Sequence, residues 1–321
     1  MATAEQIKSL IRSHLNDEDE RFYSIALQVA AHEAKQGHSA LAHDIREIVN
    51  KSRKSKGAVV LRFPKEMLGL VLSEQPDTPK SALVIPRPLE ERIDRIIVEF
   101  RQQSKLKSHG LKHRRKLLLI GPPGTGKTMT AKVLAHELKL PLHTIQVDRL
   151  VTKFMGETAA KLRQIFDLIQ RDVGVYLFDE FDAIGGERSL ENDVGEMRRV
   201  LNSFLQFIEQ DTSDSMIVAA TNNPKLLDRA LFRRFDDVLY YERPADEECK
   251  RLISNILGTY LPRRLSWKKV LAERGNLSQA EIDQACCDAI KNAILADNEK
   301  VKANDVIQAL IEKKSAHEGL V

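Results

Sequence analysis

The chain has 321 residues, 42% of them hydrophobic, enough for two domains or one large one with a buried core. Fifty basic residues against 46 acidic ones leave a net charge of +4, a balance that argues against a dedicated nucleic-acid binder. There is no basic start followed by an apolar stretch, no apolar run of the ~20 residues that cross a bilayer, and no paired cysteine spacing of a zinc site at Cys249, Cys286 and Cys287; the expectation is a reduced, cytoplasmic chain with no membrane contact.

From Gln6 to about Asn50 apolar residues fall at helical spacing, in the groups Ile7, Leu10, Ile11; Phe22, Ile25, Val29; and Leu41, Ile45, Ile48, Val49. Three amphipathic helices follow, separated by Asn16-Asp17-Glu18-Asp19 and by Gly37, and they define a small N-terminal helical domain over residues 1–52. His32, His38 and His43 in it form no defined ligand set and read as surface or polar-packing residues. Residues 53–88, with five prolines and a short apolar stretch from Val59 to Phe63, read as a linker.

Leu89 to Gln103 returns to a helix with Leu89, Ile93, Ile96, Ile97 and Phe100 on one face. Lys116 to Ile120 is a short apolar strand running into a glycine-rich loop, and Thr130 to Leu138 has helical composition. Further strands are predicted at Leu142 to Val147, Val173 to Phe178, Met216 to Ala220 and Val238 to Tyr241, with helices between the first four. That alternation builds an α/β fold, a parallel sheet with flanking helices, over residues 89–244. After Pro244 the pattern is helical, with Ser278-Gln279-Ala280-Glu281 as a capping box, so residues 245–321 are expected to form a separate helical subdomain.

Gly121-Pro122-Pro123-Gly124-Thr125-Gly126-Lys127-Thr128 fits G-x-x-x-x-G-K-S/T at every fixed position, in the strand–loop–helix context that this phosphate-binding loop requires. Glycines let backbone N–H groups close around an anion, and the new helix points its positive end at the same spot. Lys127 is expected on the β- and γ-phosphates of ATP, Thr128 on Mg²⁺, and Met129 completes the nucleotide-binding set. Asp179 and Glu180 end the apolar strand Val175 to Phe178, where Asp179 can hold Mg²⁺ and Glu180 can polarise an attacking water. Asn222 ends another apolar strand and is expected near the γ-phosphate or that water, while Arg233 and Arg234 can stabilise charge on transferring phosphate oxygens.

Together these motifs resemble the AAA family of ATPases, in the classical branch that includes katanin and spastin, from about Leu83 to Leu310. The loop at Gly121 to Thr128 is similar to that family's Walker A, Phe178 to Asp182 to its Walker B, Ala220 to Asn222 to its first sensor, and Ala230 to Asp236 to its second region of homology. The resemblance implies a P-loop NTPase core with a helical lid. It also implies that Arg233 and Arg234 act on the ATP of an adjacent subunit in a homo-oligomeric ring, usually a hexamer. Lys153-Phe154-Met155-Gly156 resembles the family's first pore loop, which implies a protein substrate gripped in a central channel, with Glu187 to Glu196 as the second loop.

The chain departs from the pattern at the lid, where the family often carries Ser-Gly-Ala-Asp and this sequence reads Ser278-Gln279-Ala280-Glu281, and near Val84-Ile85-Pro86, which leaves the adenine contacts unassigned. With its short N-terminal region the chain resembles compact bacterial members of the family, a group linked to a subtilisin-like protease, so a protease or adaptor partner is implied. The leading expectation is ATP-driven protein remodelling. The alternative is a nucleotide-gated DNA-handling factor, motivated by basic residues at Lys51 to Lys56 and Lys105 to Lys116. A non-hydrolysing scaffold would require the loss of Lys127, Asp179 or Glu180, and all three are present.

Overall fold

The computed structural model describes residues 8, 25–27, 29–31, 33–34, 38, 41–47, 49, 69–150, 155–182, 193–224, 229–262 and 264–318. The chain divides into two compact units, residues 1–62 and 63–321. In the first, residues 25–27, 29–31, 33–34, 41–47 and 49 are helical, with Ala26 and Val49 buried against Leu27 and Ile45. His38 and His43 are exposed, and His38 Nδ1 donates to the buried Glu33 carboxylate at 2.7 Å. Apart from helical Lys8, the first expected helix lies outside the described residues, as does His32.

The second unit is built on a six-stranded sheet of order β1-β3-β4-β5-β2-β6. Its strands are β1 (Val71–Glu74), β2 (Lys116–Ile120), β3 (Leu142–Ile145), β4 (Val175–Phe178), β5 (Met216–Thr221) and β6 (Asp237–Tyr240). All neighbours are parallel except β1, which pairs antiparallel with β3. The central strands are apolar on both sides because both faces are covered, as parallel sheets require. Leu118, Ile120, Tyr176, Phe178, Ile217 and Ala219 face α5 (Met155–Arg171) and α6 (Asp193–Gln210), through Phe166, Ile169, Phe204 and Ile208. Leu117, Leu119, Leu177, Val218 and Ala220 face the other way, onto α1 (Arg87–Arg101) and α3 (Lys127–Leu138), through Ile93, Ile96, Val133 and Leu134. Between these elements lie the short helices α2 (Gln103–Ser108) and α4 (Val147–Leu150), with α7 (Arg229–Phe232) ahead of β6.

The C-terminal helices α8 (Asp246–Leu257), α9 (Trp267–Glu273), α10 (Gln279–Leu295) and α11 (Ala303–Glu318) enclose their own core of Cys249, Ile253, Val270, Ile282, Cys286 and Leu310. The expected capping box is formed: Glu281 N–H donates to Ser278 Oγ at 3.4 Å, and Ser278 N–H donates to the Glu281 carboxylate at 2.6 Å. Val84 joins this helical core, and Arg251 of α8 donates to Ile85 O at 2.6 Å.

Residues 69–88 are therefore more than a linker. They supply the edge strand β1 and the buried run Leu83, Val84, Ile85. β1 escapes periodicity because one residue of its four faces the core and Leu72 is exposed, the pattern of a short sheet edge. β2 has the predicted bounds, β3 ends and β4 begins two residues inside the predicted ranges, β5 runs one residue further, and β6 lies one residue earlier at both ends.

Candidate functional site

The parallel register brings the carboxyl ends of β2, β4 and β5 to one edge, with Ile120 opposite Thr221 and Phe178 opposite Ala219. Ligands bind at that edge in open α/β sheets. The glycine-rich loop leaves β2 held by Gly121 N–H on Thr221 O at 3.2 Å, and the chain after β4 is held by Phe181 N–H on Ala220 O at 2.8 Å. Gly121 passes so close to Tyr241 that a Cβ there would lie 2.7 Å from the Tyr241 Cβ, which is why this position takes glycine. Tyr241 in turn donates its hydroxyl to Thr130 Oγ1 of α3 at 2.8 Å and so braces the strand and helix on either side of the loop.

Inside the loop, Lys127 Nζ donates to Gly121 O and Pro122 O, both at 2.8 Å, and to Asn222 Oδ1 at 2.7 Å. Burial lowers the Lys127 pKa, and Asp179 and Asp182 oppose that shift. Thr125 is fully buried, with its hydroxyl on Pro122 O at 2.8 Å, and so shapes the loop from behind. Thr128 Oγ1 donates to Asp179 Oδ2 at 2.7 Å. This all-oxygen pair suits a hard divalent cation, and a glycine-rich loop that carries an ammonium suits a polyphosphate. Glu180, beside them, has a left-handed backbone at φ 50°, a conformation that costs a non-glycine residue free energy. Asp182 accepts from Thr221 Oγ1 at 3.1 Å and from Asn222 N–H at 3.3 Å, which fixes the end of β5.

These groups line one end of a cleft of about 630 Å³: Pro123, Gly124, Gly126, Lys127, Thr128 and Met129 from the loop and α3, with Asp179, Glu180 and Asn222 from the neighbouring strands. The other end was not legible in the sequence. Leu83 and Val84, then Leu252, Asn255 and Ile256 of α8, then Gln279, Ala280 and Asp283 of α10 form a largely apolar wall suited to a flat heterocycle. Burial raises the Asp283 pKa.

Arg233 and Arg234 do not line the cleft. Both are exposed; Arg234 pairs with Glu209 of α6 at 3.0 Å. The next acidic residue, Asp236, accepts from the backbone N–H groups of Arg115 and Lys116 at 2.9 Å each. Lys153 and Phe154 lie outside the described residues; Met155 and Gly156 open α5. Of the second loop, residues 187–192 also lie outside them, and Asp193 opens α6.

A mostly parallel sheet with a phosphate loop after β2 and an acidic pair after β4 defines a P-loop nucleotide hydrolase. The chain belongs to the AAA family of ATPases: the family described as "ATPase family associated with various cellular activities (AAA)" matches residues 117–243. The chain is 33% identical, over 99% of its own length and 98% of the relative's, to an uncharacterized AAA family ATPase, y4kL, of Sinorhizobium fredii. It is also similar to a putative 26S proteasome regulatory subunit homolog of Methanothermobacter thermautotrophicus, 35% identical over 64% of this chain and 56% of that one. A proteasome-activating nucleotidase of Methanosphaerula palustris is 30% identical over 72% of this chain and 58% of its own length. The chain thus spans little more than half of these two archaeal relatives. The protein is an ATPase, and among its described residues no helix is long and apolar enough to cross a membrane.

Proposed function

We propose that the protein is a ring-forming ATPase that cleaves ATP to ADP and phosphate, with Mg²⁺, to remodel or thread a protein through a central pore. The observation that carries the hydrolytic reading is the meeting of Lys127, Thr128, Asp179, Glu180 and Asn222 at one end of a cleft whose other end is apolar. Lys127 and the loop amides from Gly121 to Thr128 hold the phosphates. Thr128 and Asp179 would hold Mg²⁺, which would supply positive charge against the phosphates. Glu180 orients the attacking water and draws on its proton, and Asn222, already bonded to Lys127, keeps that water and the γ-phosphate in register. Arg233, exposed and without a side-chain partner among the described residues, acts with Arg234 on the phosphate of a neighbouring subunit, which makes the ring a homo-oligomer, a hexamer by likeness to the family.

The pore reading places Phe154 and Met155, between Lys153 and Gly156, against an extended polypeptide, where an aromatic ring grips without regard to sequence. It is supported by the motif and by relatives whose names tie them to the proteasome. A protease or adaptor is the matching partner, and the cytoplasm the matching compartment. The DNA-handling alternative loses ground at Lys105 to Lys116. Lys107 pairs with Asp214, Arg114 with Glu99 and Arg115 with Asp211, while Lys116 donates to backbone carbonyls, so most of this charge is spent within the fold.

The test is Glu180→Gln, which should bind ATP without cleaving it and hold the assembly closed. A large ATP-dependent particle that retains a small set of proteins, released by adding Phe154→Ala, is the expected result. A particle that retains nuclease-sensitive DNA, or a chain that stays monomeric with ATP, would put the DNA-handling reading first.

A further inference from the structure

We infer that Asp283 selects the base of the nucleotide, its carboxylate accepting a hydrogen bond from the 6-amino group of adenine. The inference rests on the ATP-binding reading of the cleft and adds to it a residue that decides which base the cleft takes. Asp283 stands on the second turn of α10 and lines the cleft. It is exposed while the cleft is empty, and its carboxylate has no hydrogen bond or ion pair among the described residues. Burial raises its pKa, and no neighbouring donor or cation pulls it back. A carboxylate partly stripped of water and left unpaired gains from a ligand that brings an N–H to it.

The surroundings favour the base over the rest of the nucleotide. The phosphate loop abuts the first turn of α10, where Ala280 N–H donates to Gly124 O at 3.0 Å, and Asp283 lies three residues, ~4.5 Å, further along the helix axis. Leu83, Val84, Leu252 and Ile256 supply apolar surface for the faces of a flat ring. Of the polar residues in the same wall, Gln279 is buried with its amide on Glu242 O, which leaves Asn255 and Asp283. Asn255, on α8, is also exposed and has no side-chain partner among the described residues. An amide and a carboxylate together complement an edge that carries a donor beside an acceptor. Adenine has such an edge, with its 6-amino group between N1 and N7. Guanine carries a carbonyl oxygen in place of that amino group, and a carboxylate repels it.

The test compares kcat/KM for ATP, purine riboside triphosphate, GTP and 2′-deoxy-ATP in the full chain and in Asp283→Ala and Asp283→Asn, each checked for folding by thermal unfolding. The wild type should prefer ATP to purine riboside triphosphate, which lacks only the amino group, by about tenfold, as one hydrogen bond to a charged acceptor supplies. It should discriminate against GTP more strongly. Asp283→Ala should bring the first ratio near one and narrow the second, while Asp283→Asn, which keeps an acceptor oxygen, should hold the first ratio above that of Asp283→Ala. Ratios unchanged in Asp283→Ala, an Asp283→Asn ratio no higher than that of Asp283→Ala, a wild type indifferent to the amino group, or discrimination directed only against 2′-deoxy-ATP would each overturn the inference and leave the ATP reading standing. A wild type that prefers GTP, or that neither binds nor cleaves ATP, would overturn both.

Discussion

Lys127 is an ammonium surrounded by three oxygens, two of them backbone carbonyls of its own loop, and burial lowers its affinity for the proton it needs. The same three bonds hold the side chain in place, so little freedom remains to be lost when a phosphate arrives. The other buried titratable group of interest is His143 on β3. It is fully buried between Tyr176, 4.6 Å away ring to ring, and Ser73, at 2.7 Å from its Nδ1, and burial lowers its pKa from an ordinary 6.5 to about 4. Between those values the unfolded chain binds a proton that the folded chain refuses, so stability falls as pH drops from about 6.5 to about 4, by ~3 kcal/mol at most from this residue. His143→Asn should flatten the fall in melting temperature across that window; a slope unchanged from the wild type would show that other groups set it.

At the scale of elements, the loop, β5 and the first turn of α10 are joined through Gly121 on Thr221, Ala280 on Gly124, and the capping box behind them. Ser278→Ala removes the cap and the hydroxyl packed against Gly124. It should lower the unfolding free energy by about 1 kcal/mol in denaturant titrations and raise the KM for ATP. Legibility in the sequence follows the same joins. Gly121 to Thr128, Asp179 and Glu180 were readable because each set lies within one short segment after one strand, where spacing alone fixes geometry. The wall made by Leu83, Val84, Asn255, Ile256 and Asp283 was not, because three elements far apart in sequence supply it and no local pattern marks a residue as facing a partner element. Tyr241 was missed for a similar reason: its bond to Thr130 joins residues 111 apart and looks in sequence like an ordinary strand aromatic. β1 was hidden by its brevity among prolines.

For the whole molecule, the arginines that do not line their own cleft argue for a site completed by a second copy. A double variant, Arg233→Ala with Arg234→Ala, should bind ATP and cleave it poorly; mixed in equal amounts with Glu180→Gln, it should recover hydrolysis toward about a quarter of the wild-type rate, the share of random interfaces that pair an intact glutamate with intact arginines. Recovery that fails in assembled mixtures would mean that the arginines serve their own subunit. The full-length likeness to the Sinorhizobium relative extends over the N-terminal helices as well as the core.

Asp236 gives the architecture a consequence for redesign. Its carboxylate grips the entrance of β2 through Arg115 and Lys116, and the exit of that strand is the phosphate loop. Five residues of strand, about 17 Å of stiff backbone, thus separate the arginine segment from the loop. The two behave as one exchangeable part: a chimaera that grafts either from a relative without the other would misalign both, and a library meant to vary nucleotide turnover should carry residues 115–128 and 229–241 as a single cassette.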